Sequence, residues 1–203
     1  MIKVNNLSFS VNNKKLFHNL SFAISEGELI RISGSNGSGK TTLLKIMLGI
    51  TPPKKGFVEK EFSFGEKEFE FLGHKNGLKT YLSVKDNLYL MDLKLNDKNL
   101  KVLNDLSLLD LMSETIGNLS YGQQKKLALA RVILSKARLI LLDEPFVGLD
   151  DDSKKLLEKF LYNHIKTGKS AVITSHIDID LPYSEICLDC LLYTSDAADE
   201  GVR

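Results

Sequence analysis

The sequence predicts an α/β chain built on a mostly parallel sheet, and three observations predict it. The apolar run Leu29-Ile30-Arg31-Ile32 leads into Gly34-Ser35-Asn36-Gly37-Ser38-Gly39-Lys40-Thr41-Thr42 and then Leu43-Leu44-Lys45-Ile46-Met47-Leu48, in the order strand, glycine-rich turn, helix. Leu139-Ile140-Leu141-Leu142 and Ala171-Val172-Ile173-Thr174 have strand length without polar alternation, the pattern of parallel strands buried on both faces. Segments of helical period alternate with these strands, which implies right-handed crossovers within one sheet.

Each element can be read in turn. Lys3 to Phe9 and Leu20 to Ile24 alternate as strands, with Asn12-Asn13 as the turn between them and Glu26-Gly27 before the third strand. They predict an N-terminal antiparallel β subdomain. The helix after the glycine-rich turn is expected to end at Gly49, with Pro52-Pro53 beyond. Phe57 to Phe71 reads as strand again, with Phe62, Phe64, Phe69 and Phe71 apolar and Gly65 suggesting a hairpin. From Ser83 to about Ser135 the period is helical. Asp97 is expected to cap a helix with Leu100, Leu103 and Leu106 inward, and Tyr121 to Leu134 places Leu127, Ala130 and Leu134 on one face. This is an inserted helical subdomain, at about residues 76–135. Asp152 or Ser153 is expected to cap a helix carrying Leu156, Leu157, Phe160, Leu161 and Ile165, which Gly168 ends. No internal repeat and no disordered linker interrupts the pattern.

Composition narrows the class. The 203 residues are 43% hydrophobic and 26% charged, ample for a buried core. No run reaches the roughly 20 apolar residues of a membrane span, and Met1-Ile2-Lys3-Val4-Asn5-Asn6 opens no signal peptide. A net charge of +1 with both signs interspersed argues against a general nucleic-acid binder. Two cysteines without a framework suggest a reducing, cytoplasmic compartment. Residues 190–203 differ abruptly in composition and resemble a translated sequencing adapter, so the expected arrangement is one domain over residues 1–189, truncated near Asp189. The tail's acidic balance leaves +3 on residues 1–189, and Cys187-Leu188-Asp189-Cys190 then has no standing as a C-x-x-C site.

Gly34 to Thr42 fits G-x-x-x-x-G-K-[ST] between a strand and a helix, the context in which that pattern cradles phosphate. Its glycines let successive N–H groups converge at a helix N-terminus, where the dipole also favours an anion. Lys40 would reach the β- and γ-phosphates and the Thr41 hydroxyl would ligate Mg²⁺. Asp143-Glu144 follows a buried strand, where an open α/β sheet collects its ligands. Asp143 suits a Mg²⁺ ligand and Glu144 a general base, although a solvated acidic turn has the same sequence. His176 follows the last strand and is either structural or a γ-phosphate contact. At Leu119-Ser120-Tyr121-Gly122-Gln123 a serine cap opens a helix; spacing alone admits both an ordinary capped helix and a second anion site.

Together these stretches carry a family resemblance. Gly34 to Thr42 resembles the Walker A motif of ABC-type ATPases, Leu119 to Gln123 their signature with Tyr121 in place of its first glycine, and Leu139 to Glu144 their Walker B. Gly148-Leu149-Asp150 resembles the D-loop and His176 the switch histidine. The motifs stand in the family's order across essentially the whole of residues 1–189. The resemblance implies a P-loop NTPase core that uses ATP and Mg²⁺. It also implies two copies, with Ser120 and Gly122 of one meeting the γ-phosphate held by Gly37, Gly39, Lys40, Thr41 and Thr42 of the other. Separate transmembrane subunits would receive the stroke, with this chain peripheral at the cytoplasmic face of a bacterial inner membrane.

A narrower resemblance, carried by Phe71-Leu72-Gly73-His74-Lys75-Asn76-Gly77-Leu78-Lys79, Asn87-Leu88 and Leu119 to Arg131, is to the ATP-binding subunits of cytochrome c maturation (heme exporter) transporters. It implies ATP hydrolysis that drives heme export or the release of a heme-loaded chaperone. Other readings are an ATPase for a different cargo, a soluble ABC protein acting on DNA or ribosomes, and a P-loop small-molecule kinase. The single short domain and the signature stretch count against the last two. Most ABC ATPases have glutamine where His74 stands; His74 is open to a catalytic role and to a place on the coupling surface. Val11 occupies the position where many relatives stack an aromatic on adenine, with Phe9 two residues earlier. No heme ligand is expected in this chain: His18 and His164 read as surface histidines and Cys187 as a packed one.

Overall fold

A computed structural model describes residues 2–12, 14–61 and 68–189. The expected turn residue Asn13, the hairpin positions Phe62, Phe64 and Gly65, and the tail from Cys190, the second cysteine of the C-x-x-C, lie outside the described residues. β1 (Ile2–Val11) and β2 (Lys14–Ile24) pair antiparallel, from Ile2 opposite Ile24 to Val11 opposite Lys14. Their register breaks where Asn6 and Asn19 take φ near +49, a conformation asparagine tolerates better than most residues.

The central sheet is parallel throughout. β3 (Leu29–Ser33), β5 (Phe69–Leu72), β6 (Leu139–Asp143), β7 (Ser170–Thr174) and β8 (Ser184–Cys187) lie in the order β5-β6-β7-β3-β8. β4 (Lys55–Lys60) pairs instead with β1. The two strands expected to form one hairpin are therefore in different sheets. Alternation reveals that a strand has a buried face and does not reveal which neighbour supplies the hydrogen bonds. β8 was not foreseen, because Ser184-Glu185-Ile186-Cys187 is a half-exposed edge without an apolar run.

The two faces of the sheet bury alternate residues of the same strands. Ile30, Ile32, Leu139, Leu141 and Val172 pack toward α1 (Lys40–Leu48) and the antiparallel sheet, where Leu7, Phe17, Leu43 and Met47 complete that core. Leu29, Ile140, Leu142, Ala171 and Ile173 face the other helices. These are α2 (Val84–Leu90), α3 (Asp97–Asp105), α4 (Tyr121–Leu134) and α5 (Asp151–Lys166). Leu141 is fully buried, so its truncation to alanine would cost about 2–5 kcal/mol. Leu103, Leu106, Leu127, Ala130, Leu157 and Leu161 reach the core as the spacing predicts; Leu100, Leu134, Leu156, Phe160 and Ile165 are half-buried.

Helix starts shift by one to three residues from expectation. Asn96, not Asp97, caps α3 by accepting from the Asn99 amide at 3.0 Å. Asp150, not Asp152 or Ser153, caps α5 by accepting from the Ser153 amide at 3.0 Å. An earlier side chain whose oxygen reaches the third helical N–H takes the cap, which leaves the later acid in the first turn. One histidine is also misplaced by the sequence reading. His164 is buried in the last turn of α5, its Nε2 3.2 Å from the Ser170 carbonyl, and burial, with Lys169 nearby, pushes its pKa down to about 4. His18 and Cys187 are half-buried.

Candidate nucleotide site

Because every strand of the central sheet runs the same way, their carboxyl ends share one edge. The loop after β3 is the glycine-rich stretch; β6 ends at Asp143, with Glu144 next; Ser175 and His176 follow β7; Gly73 and His74 follow β5. The cleft at this edge has a volume of about 640 Å³, within the range of small-molecule sites. Asn36, Gly37, Gly39, Lys40, Thr41, Thr42, His74, Asp143 and Glu144 line its chemical end; Val11, Asn12, Lys14 and Leu16 line the other. A second cavity beside Ile2, Ile24 and Arg138 measures about 140 Å³, too small for a nucleotide.

The N-terminus of α1 is built to receive an anion. Its cap is Gly39, at φ +103 and without a capping side chain, so the first-turn N–H groups remain available. A Cβ at Gly39 would stand 3.1 Å from Leu16 Cβ and 3.3 Å from the Phe17 ring, in a conformation that other residues rarely adopt. Lys40 folds back over the loop, donating to the Gly34 carbonyl at 2.8 Å and the Ser35 carbonyl at 3.2 Å, with His176 Nε2 at 2.9 Å.

The acidic pair divides as its surroundings dictate. Asp143 is buried with both oxygens engaged: Thr41 Oγ1 donates to one at 2.7 Å and Thr174 Oγ1 to the other at 2.7 Å. Glu144 turns at φ +48 and presents Oε1 to the cleft, 3.4 Å from His176 Nε2 and 3.9 Å from Lys40 Nζ. That oxygen is buried and has no hydrogen-bond partner. The Glu144 amide donates to Thr174 Oγ1 at 2.9 Å, and its carbonyl accepts from buried Lys125 Nζ at 3.3 Å. Burial lowers the Lys125 pKa, partly offset by attraction to Asp143 and Glu144.

Not all of the expected site residues gather here. Gly34, Ser35 and Ser38 do not line the cleft. The Ser35 amide and hydroxyl both donate to the Asp189 carboxylate, at 2.6 and 2.9 Å, and Ser38 is buried under Gly34. Ser120, Tyr121, Gly122, Gln123 and Asp150 also stand apart from the cleft. They form a unit of their own: a Cβ on Gly148 would come within 2.6 Å of the Tyr121 ring, and one on Gly122 within 3.1 Å of the Gly148 carbonyl. Asp150 ion-pairs with Lys126, and this contact together with the Ser153 bonds holds its carboxyl well below the usual range. Phe9 stacks on Phe17 with ring centroids 6.2 Å apart and packs against the core, leaving exposed Val11 at the far end of the cleft from the acidic pair.

Three contacts escaped the sequence reading. Thr174 was visible as a polar end to a buried run. Lys125 was visible too, since 125, 129 and 132 form a helical stripe that a lysine interrupts. Asp189 on Ser35 left no local signal, because 154 residues separate the partners.

A phosphate loop and an acidic pair at the carboxyl edge of a parallel sheet define a P-loop nucleoside triphosphatase. The family model described as ABC transporter matches residues 17–147, and the chain belongs to that family of ATPases. It is 34% identical to the cytochrome c biogenesis ATP-binding export protein CcmA of Aliivibrio fischeri, over 92% of this chain and 97% of the relative. To the protein of the same name from Legionella pneumophila it is 36% identical, over 89% and 95%. An ABC transporter ATP-binding protein from Pyrococcus furiosus superposes with a TM-score of 0.78 at 26% identity, covering 94% of this chain and 98% of that one. A dimeric ATP-binding cassette in a post-hydrolysis state bound to ADP and Pi superposes with a TM-score of 0.69 at 25% identity, covering 87% and 88%.

Proposed function

We propose that ATP hydrolysis by this chain drives a membrane complex of cytochrome c maturation, exporting heme or releasing a heme-loaded chaperone. The observation that carries this reading is identity of 34–36% to relatives named for that process, across about nine-tenths of the chain. Among the described residues no helix is long and apolar enough to cross a membrane; separate transmembrane subunits would form the rest of the complex. The chain then sits peripherally at the cytoplasmic face of the inner membrane.

Within the cleft, Lys40 and the first-turn amides of α1 hold the phosphates. Glu144, whose Oε1 is buried without a partner, takes the proton of the attacking water. His176 stands between Lys40 and Glu144, its Nε2 2.9 Å from the ammonium and 3.4 Å from the carboxylate, where it would contact the γ-phosphate. His74 shares the lining of the cleft with the acidic pair, which favours a place beside the reacting water. The donors present fit Mg²⁺: the Thr41 hydroxyl and the Asp143 carboxylate are hard oxygens that already meet at 2.7 Å. When bound, the ion would neutralise charge on the β- and γ-phosphates.

Ser120, Tyr121, Gly122 and Gln123 complete the site of a second copy, and Asp150 lies at the same junction. Support comes from their position outside this chain's own cleft and from the solved dimeric cassette. Purifying the chain with its native partners should yield a complex with two copies of it, distinct membrane subunits and bound heme. A complex that transports another cargo and stays heme-free would overturn the cytochrome reading while leaving the ATPase intact.

A further inference from the structure

Lys125 is an expensive residue for its position. It is 2% exposed, among the largest fully buried side chains, and belongs to a stripe whose other members, Leu129 and Val132, are apolar. A methionine of similar length would fill the same space without taking a cation out of water, which costs several kcal/mol per ion. Its ammonium donates to the backbone carbonyl of Glu144 at 3.3 Å. Glu144 is itself unusual, a non-glycine residue at φ +48, and such backbone persists only when its surroundings over-determine it. The peptide groups on its two sides are both held: its amide by Thr174 Oγ1 and its carbonyl by Lys125. The side chain is less firmly tied, with Oε1 lacking a hydrogen bond between Lys40, 3.9 Å away, and His176, 3.4 Å away. The direction of the carboxylate is therefore set mainly through the main chain.

We propose that Lys125 is a positioning residue for hydrolysis: by holding the Glu144 carbonyl it fixes the left-handed turn that aims the carboxylate at the attacking water. The inference rests on the reading of Glu144 as general base. It assigns Lys125 no contact with nucleotide, and Lys125 does not line the cleft. Its removal should therefore lower turnover and spare binding, since a displacement of about 1 Å at a reacting group can cost roughly 100-fold in rate.

The test compares Lys125→Met, Lys125→Gln, Lys125→Arg and Glu144→Gln in the assembled complex, measuring kcat, KM for ATP, ATP affinity and thermal midpoint. Lys125→Met should lose about 10- to 100-fold in kcat with KM and ATP affinity within about 2-fold of wild type. Its thermal midpoint does not discriminate by itself, because a buried charge goes while the Glu144 carbonyl loses its donor; the split between kcat and KM carries the test. Lys125→Arg should recover most of the rate, and Lys125→Gln, which can still donate, should fall between. A Lys125→Met enzyme with wild-type kcat beside an inactive Glu144→Gln enzyme overturns the inference alone. So does a joint fall of rate, affinity and thermal midpoint that arginine does not rescue. Multiple turnover by Glu144→Gln would instead strike the general-base reading underneath.

Discussion

Two helix N-termini carry the phosphate contacts proposed for this chain, and they are finished differently. α1 begins at Gly39 with no capping side chain and no acidic residue in its first turn. α4 begins at Ser120 with a complete capping box: Ser120 Oγ accepts from the Gln123 amide at 3.2 Å, and Gln123 Oε1 accepts from the Ser120 amide at 2.8 Å. An uncapped N-terminus in a cleft is completed by an anion, whereas a capped one is stable by itself. α4 nevertheless keeps something to offer. The Ser120 hydroxyl accepts with a lone pair and can still donate its proton, and the Tyr121 and Gly122 amides have no acceptor within the helix. The difference suits a site assembled from two copies, in which α1 holds nucleotide within its own chain and α4 can wait, preformed, for the other.

Glu144→Gln tests the α1 side most severely. Turnover should fall by about 100-fold or more, while ATP still binds and an ATP-bound dimer accumulates on size exclusion; retained multiple turnover would remove Glu144 from its role. Gly39→Ala should follow, because its Cβ meets Leu16 and Phe17 at a positive φ. Strain of about 1–3 kcal/mol at the loop should weaken ATP binding by roughly 10- to 100-fold in titration calorimetry; unchanged affinity would mean that the cap geometry is irrelevant.

His164 provides a reference for stability, since it lies in α5, away from both N-termini. The folded protein keeps it neutral with a pKa of about 4, against the ordinary 6.5. The unfolded chain therefore binds the extra proton first, and the His164 contribution, complete above about pH 6.5, is lost as the pH falls toward 4. The loss should reach no more than about 3 kcal/mol in denaturant titrations and should flatten in His164→Gln. Equal acid sensitivity of the two proteins would show that His164 is not held neutral.

The α4 end gives smaller and separable effects. Ser120→Ala should cost about 1 kcal/mol of stability through the lost cap and lower turnover, yet leave single-chain ATP affinity unchanged. Ser120→Asp should restore the cap but not the rate, because a carboxylate cannot approach phosphate; recovery of both would reduce Ser120 to a structural cap. The mildest effect on binding is that of His74→Ala, expected to lower turnover and to uncouple what remains from the membrane complex while leaving ATP affinity nearly unchanged. A large loss of affinity would move His74 into the binding shell.

Much of this was legible locally. The phosphate loop, the Leu139–Leu142 strand with its acids, and the serine before α4 follow from patterns spanning ten residues or fewer. The pairing of β4 and β5 was not legible, because alternation is silent about neighbours. The caps at Asn96 and Asp150 were missed because the sequence offers adjacent candidates and only geometry selects the oxygen that reaches the third amide. His164 was misread because a histidine in the last turn of a charged helix looks solvated until the Ser170 strand closes over it.

The sequence by itself determined the chemistry of each motif: glycines where an anion needs bare amides, a lysine and a threonine after them, and paired acids after a buried strand. Those are requirements of a few consecutive residues, and backbone sterics with side-chain chemistry are enough to express them. Only the tertiary structure decided how the parts stand together. Parallel pairing brought the ends of β3, β5, β6 and β7 to one edge, uniting Lys40 with His176 across 136 residues and Thr41 with Asp143 across 102. It placed Ser120 and Gly122 outside that cleft, against Gly148, and drew Lys125 beneath the carbonyl of Glu144. Such contacts depend on sheet order and helix packing, which are set by the whole core rather than by any stretch of it.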